Sequence, residues 1–155
     1  MKVGWGFDAH RFGGDPPVLL AGVPADLTRG LLGTSDADVV AHAVADALLG
    51  VAALGDLGVF FPSSDPQWHD ADSMKLLGMV VARVRAEGLR VAHLDVTVVA
   101  ESVRLAPVRE AVRAALAAVL NIELDGVSVK ATTTDGMGFL GREEGVAAMA
   151  VVTSS

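Results

Sequence analysis

The chain has 155 residues, 52% of them hydrophobic, a formal net charge of −7 and a mean hydropathy of +0.48. That length suits one domain, residues 1–155, and the absence of any Lys/Arg run argues against nucleic-acid or anionic-membrane partners. With no cysteine, disulfides, thiolate metal sites and cysteine nucleophiles are excluded.

The longest apolar stretch, Ala41 to Leu57, is interrupted by Asp46, Gly50, Gly55 and Asp56, so no membrane span is expected. The start, MKVGWGFDAH, lacks a charged-then-apolar secretory pattern, which makes the cytoplasm the expected compartment. The apolar excess must then fill a core and a subunit interface.

In chain order, Val3 to His10 reads as a strand ended by Gly13-Gly14-Asp15-Pro16-Pro17, and Val18 to Ala21 as a short second one. A helix is expected from Asp36 or Asp38 to Leu54, stopped by Gly55-Asp56-Leu57-Gly58. Pro62 to Asp72 is a polar connection. Leu76, Leu77, Val80, Val81 and Val84 have helical spacing within Ser73 to Glu87, before Gly88. Leu94 to Ala100 is β-branched enough for a strand, and Pro107 is expected to open a third helix. Val127 to Thr134 and Val146 to Thr153 complete the strands. The expected fold is α/β or α+β, a single mixed sheet with helices packed on one face.

Three segments carry chemistry. Asp8 and His10 lie two apart, so on a strand they project from the same face. His42, near the start of the first helix, can supply a third ligand. Two imidazoles and a carboxylate suit a catalytic zinc with an open fourth position, although iron or manganese fits the same donors. The alternative for His42 is ordinary packing. Around it, Asp38, His42 and Asp46 share a helical face. Either Ser35 or Asp36 caps the helix with Asp46 solvated, or Asp38 or Asp46 orients the His42 ring.

The loop Gly55 to Pro66 combines glycines, hydroxyls and acids, and reads equally as a polyol-binding loop or a helix stop. The stretch Lys130 to Arg142 places Thr132, Thr133 and Thr134 before Asp135 and a glycine-rich turn. These are strand threonines, or a site where hydroxyls and N–H groups hold oxyanions and Asp135 binds a hard cation. Gly4-x-Gly6 is no dinucleotide fingerprint, since Ala9 holds the third glycine position.

The blocks GFDAHRF, GLLGTSDADVVAHAVADALLGVAALGDLG, FFPSSDP, DVTVVAES and VKATTTDGMGFLGREEG span nearly the whole chain. Together they resemble the 2-C-methyl-D-erythritol 2,4-cyclodiphosphate synthase family. The resemblance implies a homotrimer about a central axis, with active sites between subunits. Its implied substrate is a cytidine diphosphate compound, 4-diphosphocytidyl-2-C-methyl-D-erythritol 2-phosphate, cyclised with release of CMP.

By the same resemblance, Asp8, His10 and His42 hold Zn2+, and Asp135, where the family has Glu, helps hold Mg2+ or Mn2+. Thr133 stabilises the transition state, with Thr34 standing where many members carry His. Ser35, Asp56, Leu57, Gly58, Phe61, Ser63 and Asp65 match the methylerythritol side, and Phe139 and Arg142 further substrate contacts. Ala100, Val103, Arg104, Leu105, Ala106, Ala131 and Thr132 match the cytidine and phosphate pocket. Thr34 can donate one hydrogen bond but carries no charge. Two other readings are a zinc-dependent phosphoester hydrolase and a non-catalytic trimeric module binding a nucleotide or prenyl diphosphate.

Overall fold

The computed structural model describes residues 1–155. Its strands are β1 (Lys2–Gly14), β2 (Val18–Leu20), β3 (Val23–Asp26), β4 (Gly30–Leu31), β5 (Val91–Val99), β6 (Val127–Thr132) and β7 (Gly145–Ser154). The helices are α1 (Val39–Ala52), α2 (Leu57–Phe60), α3 (Ser73–Ala86), α4 (Arg109–Leu120) and α5 (Gly138–Gly141). Five strands form one sheet in the order β4-β1-β7-β5-β6, and β2-β3 is a separate hairpin. Only β5 and β6 are parallel, so the sheet is mixed; their connection carries α4, as a parallel crossover requires.

Alternation along the strands sorts the two faces. Val146, Ala148, Ala150 and Val152 of β7 are fully buried together with Leu94 and Val96 of β5. Helix α1 covers β1 and β7, α4 lies on β6, and α3 packs against both helices. On the opposite face Val3, Trp5 and Phe7 remain 60%, 60% and 45% exposed, with Val151 beside Trp5 in the register.

The approach of α1 to β1 explains Gly4 and Gly6. A Cβ on Gly4 would lie 1.9 Å from the Ala47 carbonyl oxygen, and one on Gly6 2.0 Å from that of Ala43. No side chain fits between these two backbones. The glycines seat the helix.

Helix α1 starts at Val39 because Asp38 is its cap: the carboxylate accepts from Ala41 N at 3.0 Å. It also accepts from Ala21 N at 2.9 Å and Gly22 N at 2.6 Å, tying the β2–β3 turn to the helix start. Burial pushes this carboxyl up to about 6, against the opposing pull of those three N–H donors. Capping therefore falls to Asp38, not to Ser35 or Asp36.

Several boundaries differ from the sequence expectation. Strand β1 runs on to Gly14 because its end pairs with β4 through Phe12–Leu31 and Gly14–Gly30. Strands β3 and β4 were not expected, being four and two residues long with Pro24 in the first. Helix α4 begins at Arg109, not at Pro107, since Val108 N still bonds Leu105 O in a preceding turn. Strand β6 stops at Thr132, because the Thr134 N–H and hydroxyl turn to the Glu101 carboxylate at 2.9 and 3.1 Å. No helix is long and apolar enough to cross a membrane.

Candidate functional site

Gly4, Gly6, Asp8 and His10 occupy alternate positions of β1 and so share one face. Where the glycines sit, α1 touches the strand; beyond them, at the helix start, His42 meets the two acid–base residues. Asp8 Oδ2 lies 2.9 Å from His10 Nε2 and 3.0 Å from His42 Nδ1. The two ring nitrogens are 3.2 Å apart. This is a ligand cluster able to hold one metal ion.

The proton positions fit that role. His10 Nδ1 is 2.7 Å from the Leu32 carbonyl oxygen, which can only accept, so Nδ1 carries a proton and Nε2 is the ring atom left to donate to Asp8 or, without its proton, to ligate a cation. Gly33 makes room for the ring: a Cβ there would lie 3.0 Å from His10 Cε1. Burial raises the Asp8 pKa, but hydrogen bonds and charge from His10 and His42 outweigh it and bring the carboxyl down to about 2. Burial disfavours the charged His10 ring, yet the Asp8 hydrogen bond prevails and its pKa is raised. An anion held between two imidazoles is the electrostatic state a divalent cation would replace.

The cluster opens into a hollow of about 280 Å³ lined by Asp8, His10, Thr34, Ser35, His42, Leu57, Gly58, Phe61 and Ser63. Trp68 and Leu76 complete its wall, Trp68 standing edge-on to Phe61 with ring centroids 4.9 Å apart. Asp56 lies in an adjoining hollow with Asp8, His42 and Gly58, and caps α2 by accepting from Val59 N at 3.1 Å. Asp65 caps the short turn at Pro66 by accepting from Gln67 N. Phe139 lines a third hollow with His10, Arg11 and Glu144. Arg142 points its guanidinium at the Glu144 carboxylate, 2.9 Å away.

A second group stands apart. Ala100, Val103, Arg104, Leu105, Ala106, Ala131, Thr132, Thr133 and Asp135 gather where the parallel strands β5 and β6 end, and none of them lines the three hollows around the Asp8 cluster. Carboxyl ends of parallel strands are a favoured place for ligands. Ala100, Val103 and Leu105 are buried, so among the matched residues of this loop the groups able to meet a ligand are backbone atoms and the exposed Arg104 side chain, with the exposed Ser102 between them. Glu101 holds the two halves together by accepting from Thr134 N, the Thr134 hydroxyl and Gly136 N. Those donors lower its pKa. Asp135 is exposed on a turn with φ of 56°.

The surroundings of His42 differ from expectation. Asp38 caps the helix, and Asp46 accepts from Leu57 N at 3.1 Å; neither bonds the His42 ring. Instead His42 Nε2 faces the Ser35 hydroxyl at 3.0 Å and the Ser73 hydroxyl at 2.9 Å. Ser73 and Asp36, which holds it, are the residues that sequence reasoning missed. Their only local signal is a hydroxyl following Asp72 at a helix start, and that reads as capping.

A mixed-sheet α+β protein with a two-histidine, one-carboxylate metal-ligand cluster is the class these observations define. The YgbB family model matches residues 1–155, and the chain belongs to that family. A 2-C-methyl-D-erythritol 2,4-cyclodiphosphate synthase from Salinibacter ruber is 53% identical over 153 residues, covering 99% of this chain and 98% of that relative. The bifunctional IspDF of Campylobacter jejuni superposes with a TM-score of 0.94 at 42% identity, over 97% of this chain; the match spans 41% of that longer chain. A solved 2C-methyl-D-erythritol-2,4-cyclodiphosphate synthase in a CDP-bound form gives a TM-score of 0.90 at 30% identity, covering 99% of this chain and all of that one.

Proposed function

We propose that the chain converts 4-diphosphocytidyl-2-C-methyl-D-erythritol 2-phosphate to 2-C-methyl-D-erythritol 2,4-cyclodiphosphate, releasing CMP. What carries this reading is the Asp8–His10–His42 cluster in a chain matched over 97–99% of its length by synthases of that name. An oxygen of the 2-phosphate attacks the β-phosphorus. The bond from that phosphorus to the α–β bridging oxygen breaks, and the oxygen leaves with CMP. No protein nucleophile is needed, so positioning and charge neutralisation supply most of the rate.

In this reading Asp8, His10 and His42 hold a zinc ion, which when bound supplies Lewis-acid neutralisation at a phosphate oxygen. Asp135 is a single exposed carboxylate. That suits magnesium or manganese, which keeps waters and takes its remaining ligands from substrate phosphates. Thr133 donates its hydroxyl to the transferring group. Thr34, at the wall of the triad hollow, donates one hydrogen bond without a charge. Asp56 and the Leu57–Gly58 backbone bind the polyol, with Ser35, Phe61, Ser63 and Asp65 around it. The loop from Ala100 to Ala106, with Ala131 and Thr132, takes the cytidine and its phosphates.

The two groups of residues do not share a hollow within one chain, which supports a site completed by a neighbouring subunit. The uncovered face of Val3, Trp5, Phe7 and Val151 is the surface we assign to a homotrimer axis. Phe139 and Arg142 then lie at its rim. Sedimentation at micromolar concentration is expected to give three times the chain mass; a monomer would refute the assembly.

The activity itself is tested by incubating substrate with zinc and magnesium and following phosphorus NMR. A cyclic diphosphate with CMP is expected, and EDTA should suppress it until both metals are restored. A linear phosphate product would instead indicate hydrolysis.

A further inference from the structure

His42 turns only one of its ring nitrogens to the cluster. Its Nδ1 lies toward Asp8 and His10, while Nε2 points away into a small polar recess between the starts of α1 and α3. If an ion is to sit among the three ligand atoms, Nδ1 must offer a lone pair. The neutral ring's single proton is then at Nε2, and it needs an acceptor in a half-buried place.

Ser73 is 1% exposed and is the first residue of α3. Its hydroxyl stands 2.9 Å from His42 Nε2, 3.1 Å from the Ser35 hydroxyl, and in a short contact with Asp36 Oδ1. Asp36 also accepts from Ser73 N at 3.1 Å and Asp38 N at 3.2 Å. A carboxylate has no proton to give, so the Ser73 proton goes to Asp36. Two lone pairs remain on Ser73, one for the Ser35 hydroxyl proton and one for the His42 Nε2 proton. Every donor in the recess then has an acceptor.

With an ion at Nδ1 the opposite tautomer is closed to the ring, and the recess disfavours it as well. Were the neutral ring protonated at Nδ1 toward Asp8 instead, Nε2 would be an acceptor served by Ser35. The 2.9 Å contact with Ser73 would then set two lone pairs against each other with no proton between them.

We propose that Ser73, polarised by Asp36, is a positioning residue that holds the His42 proton on Nε2 and so turns the Nδ1 lone pair to the ion. The inference rests on the reading that Asp8, His10 and His42 bind zinc. It adds two residues, from the start of α3 and the loop before α1, that never touch the ion or the substrate. Because a chain of hydrogen bonds polarises along its length, the carboxylate makes Ser73 a stronger acceptor than Ser35. Partners of this kind orient a ligand ring and strengthen its donor atom.

The test is zinc affinity of the full chain, by competition with a chromophoric chelator, with thermal unfolding measured in parallel. Ser73→Ala is expected to weaken zinc binding about tenfold, since Ser35 remains as a substitute acceptor. Removing both hydroxyls should weaken it about 100-fold, and Ser35→Ala alone less than about threefold.

Asp36→Asn is the sharper variant because it changes no volume. Its amide can donate to Ser73, forcing the Ser73 proton toward His42, and about a tenfold loss is expected. This variant also keeps the proposal open to refutation should Ser73→Ala fail to fold. In the zinc-loaded protein the His42 Nε2 proton is expected as a slowly exchanging low-field NMR resonance, lost in Asp36→Asn.

A merely structural role would lower the unfolding temperature and leave zinc affinity alone. If Ser73→Ala, Asp36→Asn and the double variant all bind zinc like the unmodified chain, the proposal is wrong. It is equally wrong if Ser35→Ala alone matches the double variant. Failure of the unmodified chain to bind zinc would remove the metal reading itself, and this inference with it.

Discussion

His42→Ala is expected to eliminate tight zinc binding and to slow CMP release by roughly 10³-fold, equivalent to about 4 kcal/mol of transition-state stabilisation. The imidazole supplies one of three ligand atoms and is the only one from outside β1. Without it Asp8 and His10 remain as a two-ligand pair on one strand, too few for a catalytic zinc site. The fold should survive, because alanine is the best helix former and both neighbours, Ala41 and Ala43, are already alanine. Zinc content after dialysis, a CMP release assay and a circular dichroism spectrum check the three parts. Full turnover with undiminished zinc would remove His42 from the site.

Gly6→Ala is expected to be among the most damaging small changes in the chain, costing about 4 kcal/mol or more of stability. The new Cβ would stand 2.0 Å from the Ala43 carbonyl oxygen and 2.7 Å from Ala47 N. Both are backbone atoms of α1, so no side-chain rotation relieves the contact and the whole helix must lift. His42 rides on the same helix next to Ala43, so zinc affinity should fall together with stability. Gly50→Ala provides the contrast, since its Cβ would meet nothing closer than 3.9 Å. Relieving a helix-interior glycine there should be neutral or stabilising by about 1 kcal/mol. Urea denaturation of the two variants measures the difference; equal effects would show that the α1–β1 approach is not as close as described.

Much of the site was legible because its signals are local. Asp8 and His10 follow from strand alternation, and the apolar spacing of Leu76 to Val84 places α3. The His42 environment was not legible in this way. Asp38 and Asp46 stand four residues to either side of it, the spacing that normally brings side chains together on a helix. Tertiary contacts overrode that spacing. Asp38 turned back to cap the helix and take the Ala21 and Gly22 N–H groups, while Asp46 reached the Leu57 N–H. The partner that meets His42 is Ser73, separated from it by 31 residues. A serine after an aspartate at a helix start has an ordinary local explanation, so nothing in its own neighbourhood marks it.

The boundary errors have the same origin. Nothing near Pro107 says that one more turn precedes α4, and nothing in the threonine run says that Glu101 draws Thr134 out of β6. These are choices made by long-range hydrogen bonds, which compete on equal terms with local propensity.

By itself the sequence determined the ligand types, their placement on one strand and one helix, the absence of thiol chemistry and the order of the longer strands and helices. Those follow from residue chemistry and from periods of two and 3.6, which act over a few positions. Only the tertiary structure decided that Gly4 and Gly6 are where α1 lies down. It also decided which acid caps and which hydroxyl meets His42, and that the Asp8 hollow and the β5–β6 ends lie apart in one chain. Packing and buried hydrogen bonds set these, because each depends on which distant backbone or side chain arrives to be satisfied.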